Sequence, residues 1–538
     1  MAVFVLVVIP VAIPTATASS DATGGTIELL EVYPNPLASG DRGEYVTIRV
    51  RGTQNLSGVT LSDGEDTVTL PPIVATGRLR LAVGRGMPPN GTTGQLLAVA
   101  GRLALANSGE TLTLRRDGTV IDRVRYETAP AGDRFVRGAD GWTWEPLGGT
   151  QFPPYTVRNA TVRTFVLPDN AAVPTRILSN ATERLWLGGY TFSSKRITHT
   201  LCEAREAGTD VRVLVDGDPV GGLTGASRER LDALVACGIE LEVLEGTTAR
   251  YAFHHAKYAV VDDRALILSE NWKPSGTGGR ANRGWGVLVD STPFADRLAA
   301  VFENDTAWRD TPNWTAVRPM TASSADRSIT GERFPTRIEP ASMRADGVTL
   351  LVAPDNAEAG LLDMIRDAEE TIAIQQVGIE NDRFSLLAAT VAAARRGVSV
   401  RILLSGAWYA REDNRIVADR LTRLADREGL PLSVRLVEPG DAFERSHVKG
   451  VIVDSEAVFV GSVNWNPHSL RENREVGVII TDEAVGTYYQ AVFDRDWDRG
   501  ESGLLGELSP PPGFAVVVLA VVLGVSIVVV RRFRFGSA

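Results

Sequence analysis

The chain has 538 residues, of which 44% are hydrophobic and 23% charged, with a formal net charge of −10. That length predicts about three to four domains, and the apolar fraction is enough for ordinary buried cores. The acidic balance argues against indiscriminate binding to nucleic acid, which needs phosphate-neutralising charge.

In chain order, residues 3–13 form an apolar run preceded by Met1 and Ala2 and followed by Ala16-Thr17-Ala18, a small-x-small pattern. This predicts a signal peptide over 1–24, either cleaved or retained as an anchor. Residues 25–148 read as all-β. Runs at 27–32, 45–50, 68–70, 79–83, 111–115 and 120–124 are β-rich or alternating, and Gly, Asp, Asn and Pro punctuate them at the spacing of a sandwich. Glu31-Val-Tyr-Pro-Asn-Pro36, Gly43-Glu-Tyr-Val-Thr-Ile48 and Leu105-Ala-Asn-Ser-Gly-Glu-Thr-Leu-Thr-Leu114 resemble a lamin-tail domain. The resemblance implies an immunoglobulin-like sandwich; its role is expected to be that of a spacer or packing module, with a binding role as the alternative.

The remainder is an internal repeat. Phe165-Val-Leu-Pro-Asp-Asn170 matches Leu351-Val-Ala-Pro-Asp-Asn356, and Val211-Arg-Val-Leu-Val215 matches Val400-Arg-Ile-Leu-Leu404. Each copy alternates helical and apolar strand-like segments, which predicts two α/β lobes, 160–320 and 345–500, each with a mixed sheet flanked by helices. A linker at 321–346 is expected between them. The two similar lobes are expected to face each other across a pseudo-twofold seam, both half-sites lying in one monomeric chain.

Each lobe carries His-x-Lys-x-x-x-x-Asp: His255, Lys257 and Asp262 in the first, His447, Lys449 and Asp454 in the second. Only four lysines occur in the chain, and two of them sit here. Positive charge elsewhere comes from Arg, so these positions select a compact ammonium beside an imidazole. On a strand, His and Lys two apart share a face. Ser269-Glu-Asn271 and Ser462-Val-Asn464 follow, adding neutral donors. Two imidazoles, two ammonium groups and two amides suit the charge that spreads over phosphate oxygens in phosphoryl transfer. One imidazole can attack phosphorus while the other protonates the leaving oxygen. No metal or other cofactor is required, and ligands for a metal site are missing from the pattern.

The doubled motif with trailing Ser-x-Asn resembles the phospholipase D superfamily over about residues 160–500. The resemblance implies a phosphohistidine intermediate, with Lys257, Lys449, Asn271, Asn464, Ser269 and Ser462 holding phosphate. Asp262 and Asp454 are expected to shape their lobes. The substrate is expected to be a phospholipid phosphodiester or, alternatively, a nucleic-acid phosphodiester; a third reading is an inactive envelope or adhesion protein. The family also places a carboxylate downstream to orient the histidine. The second lobe has it in Asn473-Arg-Glu475, whereas the first reads Asn282-Arg-Gly284. Glu475 is therefore expected beside His447, leaving His255 without an acid. Family habit favours His255 as the nucleophile; an orienting acid favours His447. His254 and His199 are expected to be structural, and His468 to close a turn or touch substrate.

Cys202 and Cys237 pair or remain free thiols, with both readings open. Residues 501–512 read as a tether. Residues 513–530 are apolar and uncharged, long enough to cross a bilayer at about 27 Å, and Arg531, Arg532 and Arg534 follow. This predicts a transmembrane helix with a cytoplasmic tail and the body outside. Six Asn-x-Ser/Thr triplets, at Asn55, Asn90, Asn159, Asn180, Asn304 and Asn313, agree with an exported body. The acidic, Lys-poor composition resembles that of proteins from salt-adapted archaea.

Overall fold

The computed structural model describes residues 27–502 apart from 39, 90–93, 247–248, 309, 320–333 and 381–383. The expected signal segment, the transmembrane run, Asn90 and most of the two predicted linkers lie outside these residues. Among the described residues no helix is long and apolar enough to cross a membrane.

The N-terminal part forms two antiparallel-rich sheets of six and four strands. Glu110–Arg116 alternates and turns one side inward, whereas Ile27–Tyr33 and the first half of Tyr45–Asn55 are buried on both faces. The inward residues, among them Leu29, Ile48, Leu61, Leu79, Leu112 and Leu114, share one core, so the sheets pack face to face.

Both repeats build one continuous 16-stranded sheet. Its centre is the antiparallel pair Tyr155–Leu167 and Ala341–Ala353, the first strand of each repeat. The strand Ala341–Ala353 begins inside the segment expected to be a linker, so the lobes are joined by a shared ladder and the linker is shorter than expected. Outward from this pair the strand order is the same on both sides. In the first lobe it runs through Asn282–Asp290, Arg264–Leu268, Tyr258–Val261, Arg184–Gly189, Asp210–Asp216 and Glu240–Leu244; in the second, through Glu475–Thr481, Ala457–Gly461, Gly450–Val453, Thr371–Gln376, Ser399–Ser405 and Leu432–Val437. The last three strands of each series are parallel and the rest antiparallel, giving the mixed sheet expected from the repeat. Gly500–Ser502 then adds an edge strand, so the predicted tether starts as part of the sheet.

Local sequence accounts for the helix ends. Ser194 caps Lys195–Glu206 by accepting from the Ile197 N–H at 3.3 Å. Gly397 ends Ser385–Arg396 at φ 102°, a left-handed position that glycine occupies without Cβ strain. Cys202 and Cys237 form a disulfide that ties the helix Lys195–Glu206 to the end of Gly225–Ala236.

Candidate active site

The strands of the two motifs start just past the lysines, at Tyr258 and Gly450. His and Lys therefore occupy the extended lead-in rather than the ladder itself. Each lead-in lies alongside the Asn-Arg segment of the opposite lobe. His255 N donates to Arg474 O at 2.9 Å, and His447 N donates to Arg283 O at 2.9 Å. Asn282 and Arg283 pair in register with Arg445 and Ser446, and His254 bridges Arg474.

This crossing decides which acid serves which histidine. Glu475 does not orient His447. Both of its oxygens lie 2.9 Å from Nδ1 of His255, in the other lobe. His447 has its own carboxylate: Glu270 Oε1 is 3.2 Å from its Nδ1. The expectation that one histidine lacks an acid is thus overturned twice. The acid strand ends at the seam and reaches across it, and the first lobe carries its acid one strand over. Gly284 occupies the position of Glu475 because Glu270 fills the space: a Cβ on Gly284 would sit 2.2 Å from Glu270 Cγ. Val463, buried in the second-lobe core, holds the position equivalent to Glu270. The amide of Asn282 donates to Glu270 at 2.9 Å, and that of Asn473 donates to Glu475 at 3.2 Å. Glu270 was in plain view between Ser269 and Asn271; a carboxylate flanked by two suspected site residues was the signal.

Lys257 and Lys449 are fully buried. Lys257 Nζ donates to the carbonyl of His255 and lies 5.3 Å from the centre of the Tyr190 ring. Lys449 Nζ donates to the His447 carbonyl at 2.8 Å and lies 2.9 Å from its Nδ1. Lys273 also belongs here. Its ammonium is close enough to Glu270, Lys257 and both groups of the second motif to shift all of them. Three of the chain's four lysines therefore converge on one pocket.

Burial dominates the electrostatics. It pushes His255 down to about 4, against the pull of Glu475, and holds His447 well below its usual range with the lysines adding to the effect. Burial likewise lowers Lys257 to about 7 and holds Lys449 well below the usual ammonium range. Glu270 is pushed up to about 7 by burial. Burial also works to raise Glu475, but His255 and Lys257 outweigh it and keep Glu475 below the ordinary carboxylate range. The two acids thus differ in how readily they ionise although each faces the Nδ1 of a histidine. In the first pair, an ionised Glu475 accepts the hydrogen bond donated by Nδ1–H of His255, which leaves the Nε2 lone pair free.

The remaining predicted residues separate by position. Asn271 is buried, its Oδ1 accepting from Thr191 N at 3.4 Å, and Asn464 lines a cleft of about 290 Å³ beside Tyr409 and Glu380. The Ser269 hydroxyl accepts from Trp285 N at 3.0 Å, and that of Ser462 accepts from Val476 N at 3.0 Å. Both hydroxyls are thereby held against the neighbouring strand. Asp262 and Asp454 sit at φ 54° and 52° in their turns. Asp262 accepts from the N–H of Glu183 at 2.8 Å, and Asp454 from the N–H of Glu370 at 2.8 Å. Each locks the motif hairpin to the start of the next strand. His254 is buried, its N–H bonded to Asp216 at 2.7 Å. His468 pairs with Glu472 at 2.5 Å and faces Phe253 near the pocket. His199 is on the surface beside Glu203. Among the described residues no cluster of His, Cys, Asp and Glu is arranged to hold a metal ion.

Fold and pocket define a duplicated α/β protein with one two-histidine, lysine-rich site divided between its lobes. The family described as "Cardiolipin synthase, PLD-like domain" matches residues 175–306 and 361–497, one span in each lobe. The chain belongs to this phospholipase D-like family. It is 27% identical over 154 residues to a phospholipase D of Rickettsia prowazekii, covering 28% of this chain and 68% of that one. It is 30% identical over 145 residues to cardiolipin synthase A of Pseudomonas aeruginosa, covering 27% of this chain and only 28% of the synthase. Among solved structures it is similar to phosphatidylserine synthase of Haemophilus influenzae, with 14% identity and a TM-score of 0.49, covering 69% of this chain and 96% of that one.

Proposed function

We propose that the chain is a phospholipase D-type phosphodiesterase that acts on phospholipid through a phosphohistidine intermediate. The observation that carries this reading is the pair of buried histidines, each set against a carboxylate and each with the buried lysine of its own motif beside it. In the proposed cycle the Nε2 lone pair of His255 attacks phosphorus. The bond from phosphorus to the headgroup oxygen breaks, and His447 gives that oxygen its proton. His447 then takes a proton from water as the water oxygen attacks phosphorus. The phosphorus–nitrogen bond breaks, releasing a phosphomonoester and restoring both imidazoles. Lys257, Lys449, Asn271 and Asn464 hold the phosphate oxygens. A bound phosphodiester supplies the negative charge that the cation-rich pocket lacks, which favours the protonated state His447 needs.

Family membership supports phosphodiester chemistry in general. Lipid over nucleic acid is favoured by the acidic chain and by the apolar run at 513–530, read as an anchor that keeps the site near a bilayer. The Cys202–Cys237 disulfide agrees with a body outside the cytoplasm. The N-terminal sandwich is read as a lamin-tail-like spacer. The test is to incubate the full chain, with chelator present, with phosphatidylcholine, phosphatidylglycerol or plasmid DNA. Headgroup release that disappears in His255→Ala and His447→Ala is the expected result. Plasmid nicking without headgroup release transfers the assignment to a nuclease. Inactivity on all three substrates overturns the enzyme reading.

A further inference from the structure

The loops that follow two equivalent strands bear exposed apolar side chains at the mouth of the site. After Asp210–Asp216 comes Val220, 78% exposed; after Ser399–Ser405 come Trp408, 73% exposed, and Tyr409, 42% exposed. Ile416, in the first turns of the helix Arg411–Glu428, is 56% exposed. Side chains of this size left in water are informative when they cluster.

Both tips are tied directly to the pocket. Val220 N donates to the Tyr190 hydroxyl at 2.7 Å, and the Tyr190 ring lies 4.6 Å from the His255 ring. Tyr409 lines the same cleft as Asn464 and is close enough to Glu270 and Arg445 for their charges to act on its hydroxyl. Trp408 packs edge-on against Tyr409 at 5.7 Å. The two parallel strands are related by the repeat, so their carboxyl ends, and the loops beyond them, open on the same side as the pocket.

We propose that this rim is a lipid-docking edge: Trp408, Tyr409 and Val220, with Ile416 behind them, enter the headgroup region of a bilayer and set the pocket against its surface. The proposal rests on the phospholipid reading above and names the physical form in which that substrate is met. Trp and Tyr are the side chains that settle at a membrane interface, apolar body inward and polar edge toward the headgroups. Val and Ile are what separates a lipid surface from a nucleic-acid strand. Bases stack on aromatic rings and gain nothing comparable from an aliphatic tip. Docking on both sides of the seam also presents a headgroup phosphate to both histidines at once, which contact by one lobe alone would not achieve.

Two measurements test it. The two native cysteines are disulfide-bonded, so Trp408→Cys and Val220→Cys each give a single thiol for an environment-sensitive fluorophore, with Val120→Cys on the N-terminal sandwich as control. The labelled full chain is reconstituted in phosphatidylcholine vesicles that carry brominated lipid. Blue-shifted, quenched emission at 408 and 220 but not at 120 is expected; equal quenching at all three, or none at 408, overturns the proposal. This arm needs no turnover and so decides docking even if the enzyme reading fails. In the second, Trp408→Ser and Val220→Ser are expected to lower headgroup release from vesicles by about tenfold while sparing release from short-chain monomeric phosphatidylcholine. Equal loss on both substrates, or none on vesicles, counts against docking. If Trp408→Ser weakens single-stranded DNA binding and Val220→Ser leaves vesicle hydrolysis intact, the edge is a base-stacking platform instead.

Discussion

At the scale of single residues, the exchange of Glu270 and Gly284 against Val463 and Glu475 is the most informative feature. Each lobe supplies one acid from one of two adjacent strands and keeps the other position small or apolar. Glu270→Gln and Glu475→Gln should each lower kcat by about 10²- to 10⁴-fold, as loss of an orienting acid does elsewhere, with little change in KM. The exchange makes a sharper prediction. Gly284→Glu alone cannot fit, because its Cβ would overlap Glu270. Glu270→Val combined with Gly284→Glu reproduces the second-lobe arrangement and should recover at least about tenfold of the activity lost in Glu270→Val. Failure of the double variant, with its fold intact by circular dichroism, would show that Glu270 does more than orient His447. The pocket's cations give a prediction in pH. With Lys257 lowered to about 7 by burial, the site gains charge as pH falls through that value, so a diester anion of fixed charge, dimethyl phosphate, should bind more tightly at about pH 6 than at about pH 8. Calorimetry at about pH 7.5 in buffers of different ionisation heat should register proton uptake on binding; release would contradict the assigned direction. The histidines and lysines were legible because the chain spends its few lysines here. The pairing of acids was not, because repeat alignment matches positions within lobes while the contacts run between them.

At the scale of elements, the Asn-Arg segments fasten the seam. Arg283 pairs with Asp169 at 2.6 Å in its own lobe and with Asp496 at 2.9 Å in the other. Arg474 pairs with Asp355 at 3.1 Å and with Asp305 at 2.7 Å in the same alternation. The aspartates at 169 and 355 come from the repeated Pro-Asp-Asn, and those at 305 and 496 from the helices Thr292–Thr306 and Glu483–Trp497, each of which follows the Asn-Arg strand of its lobe. The repeated Pro-Asp-Asn was readable as a motif; its use as half of a buried cross-lobe clamp was not, since its partner is more than a hundred residues away. Removing one member of a buried ion pair strands the others, at a cost of about 3–5 kcal/mol. Arg474→Ala should therefore lower the urea midpoint substantially and reduce activity, because the segment whose carbonyl holds the His255 backbone loses its side-chain anchor to Asp305 and Asp355. Arg474→Met combined with Asp305→Asn should be less destabilising than the two single changes added together, by more than about 1 kcal/mol. Strict additivity would mean that the guanidinium and the Asp305 carboxylate do not act as a unit.

At the scale of the whole molecule, the lobes form one folding body around one site. A single apolar core includes Trp285 and Val287 from the first lobe and Val458, Val460 and Val478 from the second, and the central ladder joins the two first strands over most of their length. The segment joining the N-terminal sandwich to the first lobe enters the same arrangement: Thr150 and Gln151 donate to Asp355 at 2.5 and 2.7 Å, and Arg474 reaches the Thr150 hydroxyl at 3.0 Å. The division into a β-rich part and two α/β lobes was readable from punctuation and repetition. The fusion of the lobes into one sheet was not, because the strand Ala341–Ala353 is too polar along its first half to stand out from a linker. Fusion fixes the stoichiometry of the site. Each histidine takes its acid from the other lobe of the same chain, so one chain holds one complete pocket. If lobes exchanged between copies of this chain, mixing a His255→Ala protein with a His447→Ala protein would restore activity, because one of the hybrid sites then has both histidines intact. Here the mixture should remain as inactive as either variant alone, even after co-refolding from urea, and activity of the wild-type chain should be proportional to its concentration across the nanomolar range. Recovery of activity in the mixture would require that the lobes exchange between chains, and the cross-lobe pairs His255–Glu475 and His447–Glu270 would then form between molecules rather than within one.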